Sequence, residues 1–453
     1  MDLSSAVLSG AAARLAGPDG RRERLRHAEF LPPRSARAAE WPAWVDPQVR
    51  LACQAQGIAS PWLHQALAAD LAWRGHNVAL ATGTASGKSL GYLLPGLTAV
   101  LEGGRAPSGR AATVLYLSPT KALAGDQLAG IERLDLPGVR AATYDGDTDP
   151  DQRRWVRDHA NLVLTNPDLL HHSLLPGHKR WASFLRHLRY VVVDESHQYR
   201  GLFGSHVAAI LRRLRRVAAA YGAEPVFITV SATAAEPGLT AERLTGLAAS
   251  EVTDDGSARG GLQFLLWEPP LLPGTEPDAE ERPTGWPARR SAIAETGELL
   301  ADLVADGTAT LAFIASRRGA EAVASIARRL LAEVDPELGE RVAAYRGGYL
   351  PEERRVLEAD LRAGRLRGLA STNALELGID VAGLDAVLIC GWPGRRSSLW
   401  QQAGRAGRRG GEALAVLVAR DDPLDSYLVH HPDAIFGAPV EATVLDPDNP
   451  YVL

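Results

Sequence analysis

Short apolar, β-branched runs recur along this chain, and each ends in a polar, small-residue turn. In the first half the runs are Val78–Leu80, Thr113–Leu117, Asn161–Leu164, Tyr190–Val193 and Val226–Val230. In the second half they are Thr310–Ala315, Val342–Tyr345, Gly368–Ser371, Ala386–Cys390 and Ala413–Val418. Continuous apolar character without alternation predicts strands covered on both faces, and helical periodicity fills the intervals. The pattern predicts two parallel α/β sheets, one within residues 58–250 and one within 291–425. Between them, 251–290 is rich in Pro, Gly and acidic residues and reads as a linker. Residues 1–57 read as an N-terminal arm, pinned to the body by Trp41 and Trp44 around Pro42. Its cluster Arg21-Arg22-Glu23-Arg24-Leu25-Arg26 reads as a solvated surface. Residues 426–453 read as the truncated start of a C-terminal region.

Composition narrows the classes. A length of 453 residues exceeds one typical core, which agrees with two domains. No apolar run approaches the ~20 residues that span a bilayer. The N-terminus lacks the basic start and apolar block of a signal peptide. Two cysteines, Cys53 and Cys390, exclude a disulfide framework or a Cys-rich metal site within these residues and suit a cytoplasmic setting. The formal net charge of −5 places any nucleic-acid contact in a local basic groove rather than in overall charge.

Ligands of open α/β sheets bind at the carboxyl ends of the strands, and five motif-like turns collect at one such edge. The first is Ala81-Thr82-Gly83-Thr84-Ala85-Ser86-Gly87-Lys88-Ser89, a strand–loop–helix of the kind that cradles phosphate. Lys88 would reach the outer phosphates of a nucleotide and the Ser89 hydroxyl would hold Mg²⁺. Thr82 stands where the general phosphate loop opens with Gly, and Ala85 where Gly is frequent. Val193-Asp194-Glu195-Ser196-His197 places adjacent carboxylates at another strand end. Asp194 would hold the same Mg²⁺, and Glu195 would orient and deprotonate the attacking water. An acidic helix cap is the alternative for that dipeptide taken alone. In the second half, Gln401–Arg409 presents Arg405 and Arg408 three residues apart beside Gly404 and Gly407. Two guanidinium groups there suit either a triphosphate or nucleic-acid phosphates.

This ordered set resembles superfamily 2 helicases of the DEAD/DEAH type, whose fold is two tandem RecA-like P-loop domains. The resemblance implies that Gln65 reads adenine beside Thr84, Ala85, Ser86, Gly87, Lys88 and Ser89. It implies a strand-binding role for Pro119, Thr120, Lys121 (with Gln127), Thr165, Asn166, Arg346, Gly347, Ser371 and Thr372. Ser231-Ala232-Thr233 matches the motif coupling ATP to nucleic acid, with His197 joining the carboxylates to it. Gly378 and Asp380 fall in the segment Ala374–Asp380, which resembles the fifth motif and contributes to the nucleotide site. Gln401, Arg405 and Arg408 complete catalysis, with the arginines as fingers from the second domain.

Thr143–Thr148, Asp194–Gly201 and Gly204–Val207 are further similar to the bacterial YprA/MrfA helicases and their fungal, RecQ-like Hrq relatives. That implies an ATP- and Mg²⁺-dependent enzyme moving 3′→5′ on single-stranded or tailed DNA, in repair. It also implies a later winged-helix region and a Cys-rich domain, and the absence of any Cys after Cys390 suggests a member lacking the latter. An ATP-dependent binding module without unwinding and an RNA helicase of the same superfamily remain alternatives. Two other features stay open. Arg212-Arg213 and Arg215-Arg216 form either a solvated cationic helix face or a phosphate contact. Trp392 and Trp400 either stack on bases or pack.

Overall fold

A computed structural model describes residues 8, 10–17, 21–105, 111–232, 234–272, 288–346, 348–376, 384–407 and 412–452. Thr233, Gly347, Gly378, Asp380 and Arg408, all singled out above, lie outside the described residues. The chain divides into two compact units: 35–257 with 441–453, and 1–34 with 258–440.

The strands in chain order are β1 (Leu25–Leu31), β2 (Val78–Ala81), β3 (Thr113–Leu117), β4 (Ala141–Thr143), β5 (Leu162–Thr165), β6 (Leu188–Val193) and β7 (Val226–Ser231). They continue with β8 (Ser250–Val252), β9 (Leu262–Trp267), β10 (Thr310–Ile314), β11 (Val342–Tyr345), β12 (Gly368–Ser371), β13 (Ala386–Cys390) and β14 (Ala413–Val418).

The first unit is a parallel sheet of order β4-β5-β3-β6-β7-β2-β8. Successive side chains of a strand point to opposite faces, so each apolar run feeds two cores. Val114, Tyr116, Tyr190 and Val192 pack on one face with the helix Ser89–Arg105, whereas Leu115, Leu117, Val191 and Val193 pack on the other with the helix Gly201–Ala220. All ten strands expected from the apolar runs are present, with ends shifted by no more than two residues. The Trp anchors are present too. Trp44 stacks on Trp73 at 4.5 Å and donates to Asp70, and Trp41 donates to the Ala59 carbonyl.

The second unit has order β1-β9-β14-β13-β10-β12-β11, parallel except for β1 against β9. Two expectations are corrected here. The 251–290 stretch is not simply a linker, because β9 lies inside it, fully buried and paired with β14. The 1–57 arm is not one peripheral piece, because β1 closes the second sheet by pairing with β9. Its arginines are ion-paired rather than solvated. Arg24 Nη1 lies 2.9 Å from Glu295, Arg26 Nε 2.6 Å from Glu268, and Arg21 binds Glu298 and Asp302. Glu295 is wholly buried and also accepts from Trp267 Nε1 at 2.8 Å. A buried carboxylate of this kind is tolerated only with such partners.

Two of the four arginines and both tryptophans have structural partners. Arg212 and Arg215 donate to the carbonyls of Leu244, Thr245 and Gly246, at the carboxyl end of the helix Pro237–Thr245. Cations suit the negative end of a helix dipole. Trp400 packs edge-on against Phe264 at 5.7 Å and Phe436 at 6.0 Å. Trp392 packs against the same core.

Candidate active site

The loop after β2 turns through two left-handed residues, Ala85 at φ 60° and Gly87 at φ 68°. Left-handed backbone is unfavourable for residues with a Cβ, so Ala85 carries local strain where Gly would carry none. At Gly87 a Cβ would come within 2.6 Å of Gln65 Nε2, and no side chain fits there. Thr82 also has a physical role. Its buried hydroxyl meets Ser86 Oγ at 2.7 Å and closes the loop on itself. Lys88 Nζ donates to the carbonyls of Gly83 at 2.8 Å and Thr82 at 3.2 Å, so the ammonium folds back over the loop. Ser89 opens the helix Ser89–Arg105.

Gln65 contacts the loop directly. Its Nε2 donates to Gly87 O at 2.8 Å and Ser86 O at 3.3 Å, while its Oε1 accepts from Trp62 N at 2.7 Å. The amide is thus held between its own helix start and the phosphate loop.

Two further residues hold the loop, and no motif pointed to them. His64 is buried; its Nε2 donates to Ser86 O at 3.0 Å and its Nδ1 accepts from Gly256 N at 3.1 Å. Those two bonds specify the neutral imidazole with the proton on Nε2. Asp255 Oδ2 accepts from Gly83 N at 3.1 Å, and Oδ1 accepts from Ser257 N and Oγ. The segment leaving β8 therefore grips the phosphate loop. The sequence signal was no more than an Asp-Gly turn in a stretch read as linker.

Asp194 follows β6 and is buried. Its Oδ1 accepts from Glu195 N at 2.8 Å and its Oδ2 from Tyr116 OH at 2.5 Å. Burial, and then the neighbouring Glu195 charge, push its carboxyl up to about 7, while Lys88 pulls the other way. Glu195 sits at φ 48°, a second strained left-handed residue. Glu195 Oε2 lies 3.4 Å from His197 Nδ1. His197 lines one small cavity together with Ser231, Thr229 and Ala234, so the carboxylate pair, His197 and the turn after β7 are contiguous.

The raised Asp194 pKa has a stability consequence with a definite sign. An unfolded aspartate titrates near pH 3.9. Between about pH 4 and 7 the folded protein keeps a proton that the unfolded chain has released. Stability from this group is therefore full at low pH and lost as pH rises through about 7. Asp194→Asn is expected to raise the melting temperature of the protein without nucleotide at both pH values, and by more at pH 8 than at pH 5. Melting curves at the two pH values check this; an equal shift at both would assign the change to packing instead.

The expected strand-binding residues divide. Thr165 and Ser371 are buried, and their hydroxyls donate to Tyr144 O and Thr372 O. Thr372 is buried as well. The hydroxyl protons of Thr165 and Ser371 are thus used within the fold. Thr120 and Asn166 cap the helices that follow them, accepting from Leu123 N and Leu169 N. Pro119 lies in the same turn as Thr120, immediately before the helix Lys121–Glu132. Lys121 is exposed and pairs with Asp147 at 2.8 Å. Arg346 pairs with Glu321 at 2.9 Å and lies over the Tyr349 ring.

In the second unit Gln401 and Arg405 are buried. Arg405 donates to the Glu376 carbonyl, and Gln402 Nε2 reaches the Glu376 carboxylate at 2.9 Å. Arg405, expected as a finger toward a triphosphate, is held within its own unit by its bond to the Glu376 carbonyl. Here it ties the helix Arg396–Ala403 to the turn after β12.

Comparison with known proteins agrees with this geometry. Residues 62–240 match the DEAD/DEAH box helicase family, and residues 293–410 match the helicase conserved C-terminal domain. The chain is 41% identical over 427 residues to the uncharacterized ATP-dependent helicase YprA of Bacillus subtilis, covering 93% of this chain and 54% of that protein. It is 38% identical over 422 residues to the ATP-dependent helicase HRQ1 of Saccharomyces cerevisiae, covering 91% of this chain and 37% of that one. A crystal structure of the DUF1998 helicase MrfA bound to DNA and AMPPNP superposes with a TM-score of 0.88 at 38% identity, over 98% of this chain and 59% of that one. The chain thus spans about half the length of these relatives, or less.

Proposed function

We propose, for a chain that belongs to the superfamily 2 DEAD/DEAH-box helicases, an ATP-driven motor that moves 3′→5′ along single-stranded DNA and serves DNA repair. The observation that carries the reading is the meeting of Lys88, Ser89, Asp194 and Glu195 at the carboxyl edge of one parallel sheet.

The donor set fits a magnesium nucleotide. A buried carboxylate that burial drives toward protonation is a site that gains from a cation. A serine hydroxyl at a helix start and a lysine ammonium lie on the same loop. Bound there, MgATP would supply the anhydride to be cleaved and the charge that Lys88 offsets. Asp194 and Ser89 would hold the metal. Glu195 would orient and deprotonate water. His197, with Ser231 and Ala232, would transmit the change toward the strand-binding turns. Gln65 would hold the loop beside the base.

DNA is the proposed track because the MrfA relative is described bound to DNA. Lys121, exposed, and Arg346, half-buried, supply cationic contacts of the sequence-independent kind.

The test is an ATPase assay with DNA and RNA of one sequence, beside strand displacement on 3′- and 5′-tailed duplexes. The expected outcome is stimulation by DNA and displacement from the 3′ tail only. Stimulation by RNA alone, or none by either, would overturn the reading. Arg408→Ala is expected to spare nucleotide binding and to slow hydrolysis about a thousandfold, the scale of an arginine finger. An unchanged single-turnover rate would remove Arg408 from that role.

A further inference from the structure

Two buried tyrosines that no helicase motif includes connect the metal-binding carboxylate to a strand-binding helix. Tyr116 lies on β3 and Tyr92 one turn into the helix Ser89–Arg105, and both are buried. Their rings meet at a centroid distance of 5.8 Å. Tyr116 OH donates to Asp194 Oδ2 at 2.5 Å. Tyr92 OH donates to Gln127 Oε1 at 2.9 Å, and Ser89 and Tyr116 lie beside the same hydroxyl. Gln127 belongs to the helix Lys121–Glu132, which Thr120 caps and whose first residue, Lys121, is one of the cationic contacts proposed above.

We propose that Tyr92 and Tyr116 are positioning residues: a buried tyrosine pair through which movement of the helix Lys121–Glu132 on an engaged DNA strand resets the orientation of the Asp194 carboxylate and the Ser89 hydroxyl. This inference rests on the motor reading above.

The physical case has three parts. A buried phenol needs a hydrogen-bond partner, and both phenols here find theirs on functional elements rather than on local backbone. Asp194 has one carboxylate oxygen fixed by Glu195 N and the other by Tyr116, so Tyr116 controls half of its orientation. The helix Lys121–Glu132 packs along β4 and β5, at the sheet edge remote from β2, and the tyrosine pair crosses that interval. The route runs through β3 and the helix Ser89–Arg105, and so differs from coupling through the turn after β7.

The measurement is a double-mutant cycle on the full chain with Tyr92→Phe and Gln127→Leu, read as basal ATPase, DNA-stimulated ATPase and the DNA concentration giving half-stimulation. Phe keeps the ring packing, and melting curves verify folding. Tyr92→Phe is expected to lower the stimulated rate about two- to tenfold, the range one hydrogen bond supports, and the basal rate by clearly less. Gln127→Leu breaks the same link from its other end, and the double variant should fall no further than the worse single variant. Tyr116→Phe should in addition raise the Mg²⁺ concentration needed for half-maximal turnover.

Equal losses of basal and stimulated rate would reduce the pair to packing and overturn the inference. So would additive effects of the two substitutions, or unchanged stimulation in Tyr92→Phe. Failure of wild-type protein to respond to DNA would instead sink the motor reading itself.

Discussion

Lys88→Ala is expected to lower ATP hydrolysis at least about a hundredfold, the scale seen when one preorganised cationic or hydrogen-bond donor is removed from a charged transition state. Two effects act together. The ammonium that would meet the outer phosphates is gone. The loop also loses the bonds from Nζ to Gly83 O and Thr82 O, which in the nucleotide-free arrangement hold its first turn. Nucleotide affinity should fall by about one to two powers of ten, since a hydrogen bond from a charged group contributes about 1.5–3 kcal/mol. The fold should persist. Thr82 and Ser86 still close the loop, and Gln65, His64 and Asp255 hold it from outside. Steady-state turnover and equilibrium binding of a fluorescent ATP analogue separate the two effects. Full activity in this variant would remove the phosphate-loop assignment.

The contrast between Lys88 and its supports shows what a sequence exposes. Lys88, Ser89, Asp194 and Glu195 announce themselves because phosphate and metal chemistry restricts residue type at fixed spacing along one loop. The supports do not. His64, Tyr116 and Asp255 act through partners 22, 78 and 172 positions away, and the chemistry of a single hydrogen bond admits many residue types. Strands follow the same division. The ten found from apolar runs are covered on both faces, so burial writes itself into consecutive positions. Three of the four that were missed lie at sheet edges. β4 and β8 are three residues each, too short to leave a pattern. β1 carries Arg26 and Glu29, paired with Glu268 and His27, and these charges break its apolar run. The fourth, β9, is as apolar as any, yet Gly260-Gly261 before it and Pro269-Pro270 after it lent the whole stretch the composition of a linker.

The internal bonds of motif residues were hidden for the same reason. Thr165 and Ser371 sit in turns of the right motif, but a hydroxyl buried at a strand end must be satisfied within the fold, and theirs are. Arg405 was placed by residue type at a spacing shared with Arg408. In the structure its Nη2 donates to the backbone carbonyl of Glu376, 29 positions away. Motif reading identifies which turn matters. Deciding which atoms of the turn are free requires the hydrogen-bond partners.

Glu195→Gln should separate binding from hydrolysis more cleanly than any other substitution here. The side chain keeps its size. The left-handed backbone at φ 48° is unaffected, because Glu and Gln bear the same Cβ and pay the same strain. The bond from residue 195 N to Asp194 Oδ1 is a backbone bond and remains. What disappears is the carboxylate that would take a proton from water, a loss worth about two to four powers of ten in rate. A second consequence follows from charge. Glu195 is one of the causes that hold the Asp194 carboxyl high, so its neutralisation lets Asp194 ionise at lower pH. Mg²⁺ and ATP should therefore bind at least as tightly as in wild type while turnover stops. Binding of ATP in the presence of Mg²⁺, measured beside single-turnover hydrolysis, gives both quantities on one preparation. The variant should also hold DNA longer with ATP than with ADP, because it rests before the step that releases the strand. Wild-type hydrolysis would remove Glu195 as the base. A matched loss of ATP binding would mean that its charge serves the pocket's architecture instead.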